Sequence, residues 1–478
     1  MSIRNTFKAA SYLTVGLVLV RAFNFVQYAL LARVLARQSV GDYAFSYSLA
    51  LMLAGFSALG IAAAVIRQSA REAAREPELI LTGIPLRLLT ALLAMGVGLA
   101  IALILPWRAE LRYTALLFSV TSVAISLARL NEHVLLLHGR ARAATLCQVV
   151  MGAGQFGLVA AVLLTGGGVV AASACVMLAQ VGLWLSTSHL VLQRLARPRP
   201  KPTWAACREI LAIGWPVGLH GILNALYSGL DVMMLSGFRG NVEVAVYATA
   251  LRLVNILVVL QQPANKALLP FLSREHKKDP DSLRKAHTTS IKLFTAVGLP
   301  GCVLGTLLLP LLIPAVYGAG YWESVLPAQV YIWSVPVRYI TGLTVFALLA
   351  AGRQRVLPAG ILAAALVKWG MNLVFIPRYG YLGSVVATTA GHVTMFFVFI
   401  YLSVRYVHRV RWMTAVAKPV LATAAMTAVA LLLRGTGLAA QAGCAAMAYV
   451  AVLWMLRPFD AEEVRMFRKA LGLKRRAP

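Results

Sequence analysis

Acidic side chains are scarce in this sequence: 16 Asp and Glu stand against 45 Lys and Arg in 478 residues, a formal net charge of +29. Charge of either sign is thin, at 13% of residues, whereas soluble domains carry about a quarter. Apolar residues make up 60% and mean hydropathy is +0.77. A chain this poor in charge and rich in apolar side chains is an integral membrane protein. The five cysteines (Cys147, Cys175, Cys207, Cys302, Cys444) are scattered without paired spacing, which argues against a metal site or a disulfide framework. Carboxylates do not cluster, and no His/Asp pair falls near a membrane face, so a membrane glycosyltransferase or acyltransferase lacks its expected groups. The chain is read as a non-enzyme with no cofactor.

Apolar stretches near the 20 residues needed to span a bilayer occur at 11–32, 43–66, 79–105, 113–137, 143–165, 168–193, 209–236, 244–270, 288–316, 324–351, 355–376, 382–404, 412–433 and 437–456. About fourteen transmembrane helices are predicted. The segment Met1 to Lys8 resembles a signal-peptide n-region, but a full-length apolar run without a small-residue cleavage site follows, so the first helix is read as retained. With the N-terminus inside, inside segments hold 29 Lys and Arg and outside segments 7. That asymmetry is the positive-inside rule. It accounts for most of the basic excess without nucleic acid, and places both termini in the cytoplasm.

The first span, Tyr12 to Leu31, carries an arginine at its centre. Arg21 is 12 residues from Arg33 and 13 from Lys8, roughly 18 Å from either boundary and beyond the reach of a snorkelling side chain. Asn24 and Tyr28 share its helical face. Other ionisable groups deep in spans are Arg129, Asp231, Arg252, Arg338 and Lys368. Each cation facing lipid at mid-bilayer costs about 2.5–3.5 kcal/mol, so together they are expected to line a wet interior. Five cations against one carboxylate make that interior attractive to an anion, and guanidinium groups suit phosphate. Arg87 and Arg129, nearer the inner face, are expected to reach lipid headgroups, and Lys368 is close enough to the outer end to snorkel. His220, Asn224, Tyr227 and Asp231 form a polar stripe on one face of the seventh span. Asp231 is read either as a counter-ion to an arginine such as Arg252 or as an H⁺ or Na⁺ coupling site. Gly214, Pro216, Gly218, Gly221 and Gly229 make that helix easy to bend.

The basic, proline-rich run Arg197 to Pro202 divides the chain. The expected organisation is a six-helix bundle at 1–197, a basic cytoplasmic linker at 198–208, a second six-helix bundle at 209–405, two additional helices at 406–456 and a basic tail at 457–478. The bundles read as repeats: Gly41-Asp-Tyr-Ala44 opens the second span and Val244-Ala-Val-Tyr-Ala248 the eighth, with Asn24 matching Asn224. An even number of intervening helices gives both copies one orientation.

Leu30-Leu-Ala-Arg-Val-Leu35 with Gly41-Asp-Tyr-Ala44, Ala58-Leu-Gly-Ile-Ala62, Asp231-Val-Met-Met-Leu-Ser-Gly237 with Tyr247-Ala248, and Arg378-Tyr-Gly-Tyr-Leu-Gly-Ser384 resemble the polysaccharide-flippase branch of the multidrug/oligosaccharidyl-lipid/polysaccharide exporter superfamily. The resemblance implies an all-α polytopic fold, two six-helix bundles in a V around a central cationic cavity, with two C-terminal helices beside them. It implies translocation of undecaprenyl-diphosphate-linked oligosaccharide, an O-antigen or exopolysaccharide repeat unit, from the inner to the outer leaflet of the bacterial inner membrane by alternating access. Polysaccharide polymerase and glycosyltransferases are the implied partners, beside membrane lipids. A lipid II flippase is the alternative, although helix 2 has Ser46, Tyr47 and Ser48 and no internal arginine. Multidrug exporters usually have acidic cavities, the opposite sign. The diphosphate is expected on Arg21, Arg252 and Arg338, with Lys368 also on the cavity wall, and sugars on Asn24, Gln27, Asn224, Tyr227 and Asn255. Transport is expected to draw on H⁺, Na⁺ or the membrane potential.

Overall fold

In the computed structural model of the chain, the described residues are 3–193, 202–259, 261, 280–435, 437–460 and 463. Part of the expected linker (Arg197 to Lys201), the 262–279 stretch with Pro263 and its inner-loop lysines, and most of the basic tail lie outside them. Among the described residues the architecture is all-α, with no β-strand. Among the described residues, twelve helices are long and apolar enough to cross a membrane, or thirteen if a pair bent by 42°, Ala319–Ile332 and Ser334–Ala350, counts as one span.

The chain forms two compact units: residues 1–248 with 376–381, and residues 249–375 with 382–478. The first contains α1 (Ile3–Val34), α2 (Arg37–Phe56), α3 (Ile61–Arg71), α4 (Glu76–Ile104), α5 (Ala109–Leu137), α6 (Ala141–Leu164), α7 (Val169–Leu192), α8 (Trp204–Arg239) and the start of α9 (Asn241–Val259). Helix α5 is its axis, packing on α2, α4 and α7, while α1 lies on α6. Small side chains set the closest approaches. A Cβ on Gly98 would come 2.5 Å from Ser119 Oγ on α5, and one on Gly16 would come 2.0 Å from Thr145 Cγ2 on α6.

The second span is broken. Helix α2 ends at Phe56, the chain turns through Ser57–Gly60, and α3 resumes at Ile61. Leu59 and Gly60 have φ of 40° and 72°, a left-handed conformation that costs a side chain such as leucine about 1–2 kcal/mol. Helix α8 is cut to fit the break: a Cβ on Gly60 would lie 2.0 Å from Gly214 O, and one on Gly218 would lie 2.6 Å from the Leu59 carbonyl carbon. Gly214 and Gly218, read from sequence as points of bending, are points of contact.

The second unit holds the rest of α9, α10 (Pro280–Tyr317), α11 (Val325–Ile332), α12 (Ser334–Ala350), α13 (Leu357–Tyr406), α14 (Trp412–Leu432) and α15 (Leu438–Leu456). If straight, the 50 residues of α13 would run about 75 Å, far more than a hydrocarbon core of about 30 Å. Gly380 interrupts it with non-helical φ 56° and ψ −134°, and Gly360 in the first arm packs against the Phe399 ring in the second. It is therefore a hairpin, whose arms match the stretches expected at 355–376 and 382–404. Helices α14 and α15 pack on α10 through Val303, Ala422, Met426, Ala445 and Tyr449.

Candidate functional site

In the first unit, the α2–α3 break and helices α4, α5 and α8 enclose a cavity of about 470 Å³, within the range of small-ligand sites. Its wall is built in layers. Ser48, Gly55 and Ala58 come from α2 and the turn, and Gly60, Ala62 and Ala63 from the start of α3. Arg87 arrives from α4, Arg129 and His133 from α5, and His220, Asn224 and Ser228 from α8. The lining contains no carboxylate. Arg87 is only 5% exposed, and its one hydrogen bond runs from Nε to the Ser126 carbonyl at 3.4 Å. Arg129 is exposed towards the cavity, and His133 Nδ1 meets the Arg129 carbonyl at 2.6 Å. A guanidinium buried to this degree with most of its donors unspent is costly unless something anionic shares the space. Arg87 and Arg129, expected to reach headgroups, line the cavity wall.

The polar stripe on α8 divides between two environments. His220 and Asn224 line the cavity, whereas Tyr227 and Asp231, one and two turns on, are buried. Asp231 is 2% exposed and accepts a hydrogen bond from the Tyr247 hydroxyl on α9.

Residues expected on α1 are placed differently. Gln27, 2% exposed, donates to the Tyr43 hydroxyl at 3.0 Å and accepts from Gln155 at 2.9 Å. Gln180 in turn donates to Gln155 at 3.0 Å. Asn24 donates to the Val20 carbonyl at 2.8 Å and lies 3.5 Å from the same Gln155 amide. This amide chain ties α1, α2, α6 and α7 together, so Gln27 and Asn24 are engaged inside the bundle and neither lines the cavity. Arg21 is exposed. It sits roughly 100–160° round α1 from the Gly16, Val20 and Phe23 seam against α6, and it too is absent from the cavity lining.

The second unit collects another polar cluster. Arg338 donates to Asn255 Oδ1 at 2.7 Å and to the Tyr331 hydroxyl at 2.8 Å, with its guanidinium 5.6 Å from the Tyr331 ring centre. His392 Nε2 is 3.5 Å from that hydroxyl, and the charges of Arg338 and Lys368 both act on His392. Lys368 is buried at 2% exposure, a correction to its expected snorkelling. Thus Asn255, Arg338 and Lys368 gather in one place, joined by Tyr331 and His392, which an apolar context concealed. Arg252 is half-buried on α9 in the same unit.

Sequence reading also missed Asp42, because it lies at the start of a span. It is fully buried, accepting from Asn241 at 2.6 Å and from Arg108 at 2.8 Å. A Cβ on the neighbouring Gly41 would stand 1.7 Å from the Asn241 carbonyl oxygen. Nearby, Glu243 accepts from the Tyr381 amide at 2.8 Å, and a Cβ on Gly380 would strike its carboxylate. Two of the stretches that carry the resemblance, around Gly41 and around Gly380, therefore meet the start of α9 at one corner of the first unit.

The fold is similar to those of solved membrane transporters. The structure is similar to "Lipid II flippase MurJ, inward closed conformation", with a TM-score of 0.77 and 13% identity over 96% of this chain and 99% of that one. It is also similar to an inward-facing multidrug resistance MATE family transporter of the MOP superfamily, with a TM-score of 0.66 and 17% identity over 80% and 94% of the two chains. A MOP superfamily transporter from Pyrococcus furiosus, described as having a binding pocket of reversed polarity, matches with a TM-score of 0.61 and 16% identity over 84% and 95%. No curated protein matches the sequence. The fold is thus that of the MOP superfamily, in a multi-pass membrane protein. The polysaccharide biosynthesis protein family model matches residues 6–276, and the MatE model residues 216–354. The chain belongs to the polysaccharide biosynthesis protein family.

Proposed function

We propose that the protein is a flippase that carries undecaprenyl-diphosphate-linked oligosaccharide, an O-antigen or exopolysaccharide repeat unit, across the bacterial inner membrane by alternating access. The observation that carries this reading is the cavity walled by Arg87 and Arg129, with no carboxylate in its lining. A cationic interior of this volume selects for a polyanionic headgroup and against cationic drugs. The second cluster, Arg338 with Asn255, Tyr331 and Lys368, offers a further set of donors to phosphate or sugar hydroxyls. With both termini cytoplasmic, the negative headgroup moves outward down an inside-negative potential, worth about 2.3 kcal/mol per charge per 100 mV. The potential is therefore a sufficient drive, and Asp231, bonded to Tyr247, serves as a structural acceptor rather than an ion-coupling site. The likeness to a lipid II flippase over 96% of the chain supports a second reading with the same chemistry and a peptidoglycan precursor as cargo.

Analysis of lipid-linked products in a deletion strain tests the reading. Complete repeat units should accumulate on the cytoplasmic side, and Arg87→Ala or Arg338→Ala should fail to restore surface glycan while remaining in the membrane. Trapped lipid II with normal surface polysaccharide would favour the second cargo. Incomplete repeat units would point to an enzyme and defeat both. Unchanged pH and Na⁺ dependence in Asp231→Asn is expected; altered dependence would restore the coupling role.

A further inference from the structure

The break in the second span has a consequence for the cavity beside it. Helix α3 begins within the cavity wall, and Ala62 and Ala63, its second and third residues, line the space. Its N-cap is Gly60, which has no side chain to cap with. The Ile61 amide donates to the Ala58 carbonyl and the Ala64 amide to Gly60, but no backbone carbonyl takes the amides of Ala62 and Ala63. The first turn of a helix carries unspent N–H donors and roughly half a positive charge, and such ends bind phosphate. A helix start by itself is only a potential site. The independent observation is Arg87: a guanidinium 5% exposed on the same wall, with neither Nη in a hydrogen bond and no carboxylate in contact. Arg129 adds a second unpaired cation from α5.

Helix α3 starts at Ile61 and the apolar stretch ends at residue 66, so its first turn lies about 8 Å inside that end. The break is also held in place and cannot anneal into a continuous helix without displacing α8, since Gly60 and Gly214 meet backbone to backbone.

We propose that the free amides of Ala62 and Ala63, with Arg87 and Arg129, form a phosphoryl-binding subsite in the first unit, which holds a phosphate of the lipid-linked diphosphate headgroup. This inference rests on the flippase reading for the ligand's source, but the site itself is defined by phosphate chemistry. The amides supply fixed, uncharged donors that need no counter-ion when the ligand leaves, and the two arginines supply the attraction. Such a mixture binds an anion without trapping it. His133 and His220 stand at the edge of the same wall, available to a second phosphate oxygen or to the first sugar.

The test uses the full-length protein purified in maltoside detergent, titrated calorimetrically with inorganic pyrophosphate. The wild type is expected to bind saturably. Arg87→Gln and Arg129→Gln should each weaken binding at least tenfold, with Arg87→Lys recovering part of the loss. Ala62→Pro deletes one of the free amides at a first-turn position where proline is tolerated, and should weaken binding severalfold with helicity and Tm unchanged. Ala62→Ser, which keeps the amide, should bind as the wild type does. If Ala62→Pro does not fold, the arginine variants still decide. A wild type that binds no pyrophosphate, or binding kept within twofold in Arg87→Gln and Ala62→Pro alike, overturns the subsite. Accumulated repeat units in the deletion strain would leave the flippase reading standing in that case. Displacement of pyrophosphate by equimolar dihexanoyl phosphatidylglycerol would mark a bilayer-headgroup site and overturn the assignment to transported cargo.

Discussion

Glycine 41 and its neighbour Asp42 carry more of the structure than their size suggests. The Asp42 carboxylate is fully buried, yet Asn241 and Arg108 satisfy both of its oxygens. Removing Asp42 leaves the buried Asn241 amide without its acceptor, a loss of about 1–3 kcal/mol. Asp42→Ala should therefore lower the Tm of the purified protein markedly. Gly41→Ala should do so as well, because its methyl would occupy the position of the Asn241 carbonyl oxygen, and overpacking costs about 1–3 kcal/mol. Arg108→Ala is expected to cost less than Asp42→Ala, since Arg108 is 57% exposed and Asn241 remains. Equal Tm values for Gly41→Ala and wild type would show that α2 and α9 do not hold this contact in the membrane protein. Residues of this kind escape a search for intramembrane charge, because their importance comes from a neighbour 199 positions away.

Helix α8 shows how one element serves a break in another. Its glycines are not equivalent. Gly214 and Gly218 touch the backbone of Leu59 and Gly60, whereas Gly237 has open space around its α-carbon. Gly218→Val should push α8 from the break, reduce the cavity and lower both Tm and transport. Gly237→Ala should be neutral or stabilising, since replacing glycine by alanine in a helix gains up to about 1 kcal/mol. Thermal unfolding in detergent compares them directly, and similar losses in both variants would contradict the contact role. The same logic separates the two readings of glycine in a span: flexibility predicts that all positions matter alike, close approach that only the contacting ones do.

At the scale of the whole chain, the segment after α15 is tied back by a salt bridge. Lys292 on α10 donates to both oxygens of Glu463 at 2.7 and 2.9 Å and to the Pro458 carbonyl at 2.8 Å, beside Phe459. Thr289 adds a bond to the same carboxylate at 3.1 Å. Burial alone would raise the Glu463 carboxyl, but the Lys292 bond, the Asp460 amide and Thr289 outweigh it and hold the group below its ordinary 4.5. A carboxyl depressed in the folded state stabilises fully above its unfolded value, and that contribution fades as pH falls through the folded value. The tie is therefore intact at neutral pH and weakens only below about pH 4.5. Glu463→Gln should bring that loosening to neutral pH, seen as faster proteolysis after residue 456 with the spans still protected. No change in cleavage rate would show that the salt bridge does not restrain the segment. The His287 and His408 rings, 2.9 Å apart between Nδ1 and Nε2, make a second tie from α10 to the connection before α14.

What the sequence by itself determined is the membrane character, the approximate places of the spans, the all-α class and the sign of the interior. These depend on local sums. About 20 apolar residues cross a bilayer whatever they touch, and a shortage of carboxylates cannot be reversed by folding. Even the hairpin within α13 was legible, because Gly380 interrupts two full-length apolar runs. Only the tertiary structure decided which cations share a wall. A helix apolar on most sides has no strong face, so the direction of a lone Arg21, Arg87 or Lys368 is set by neighbours and not by periodicity. Depth in a span decides neither that Arg87 lines the cavity nor that Gln27 is bonded within its own bundle. The break at Ser57–Gly60 was invisible for the same reason. Ala-Leu-Gly-Ile-Ala reads as a continuous apolar helix until the glycines of α8 come within contact distance and make a left-handed turn the lower-energy path.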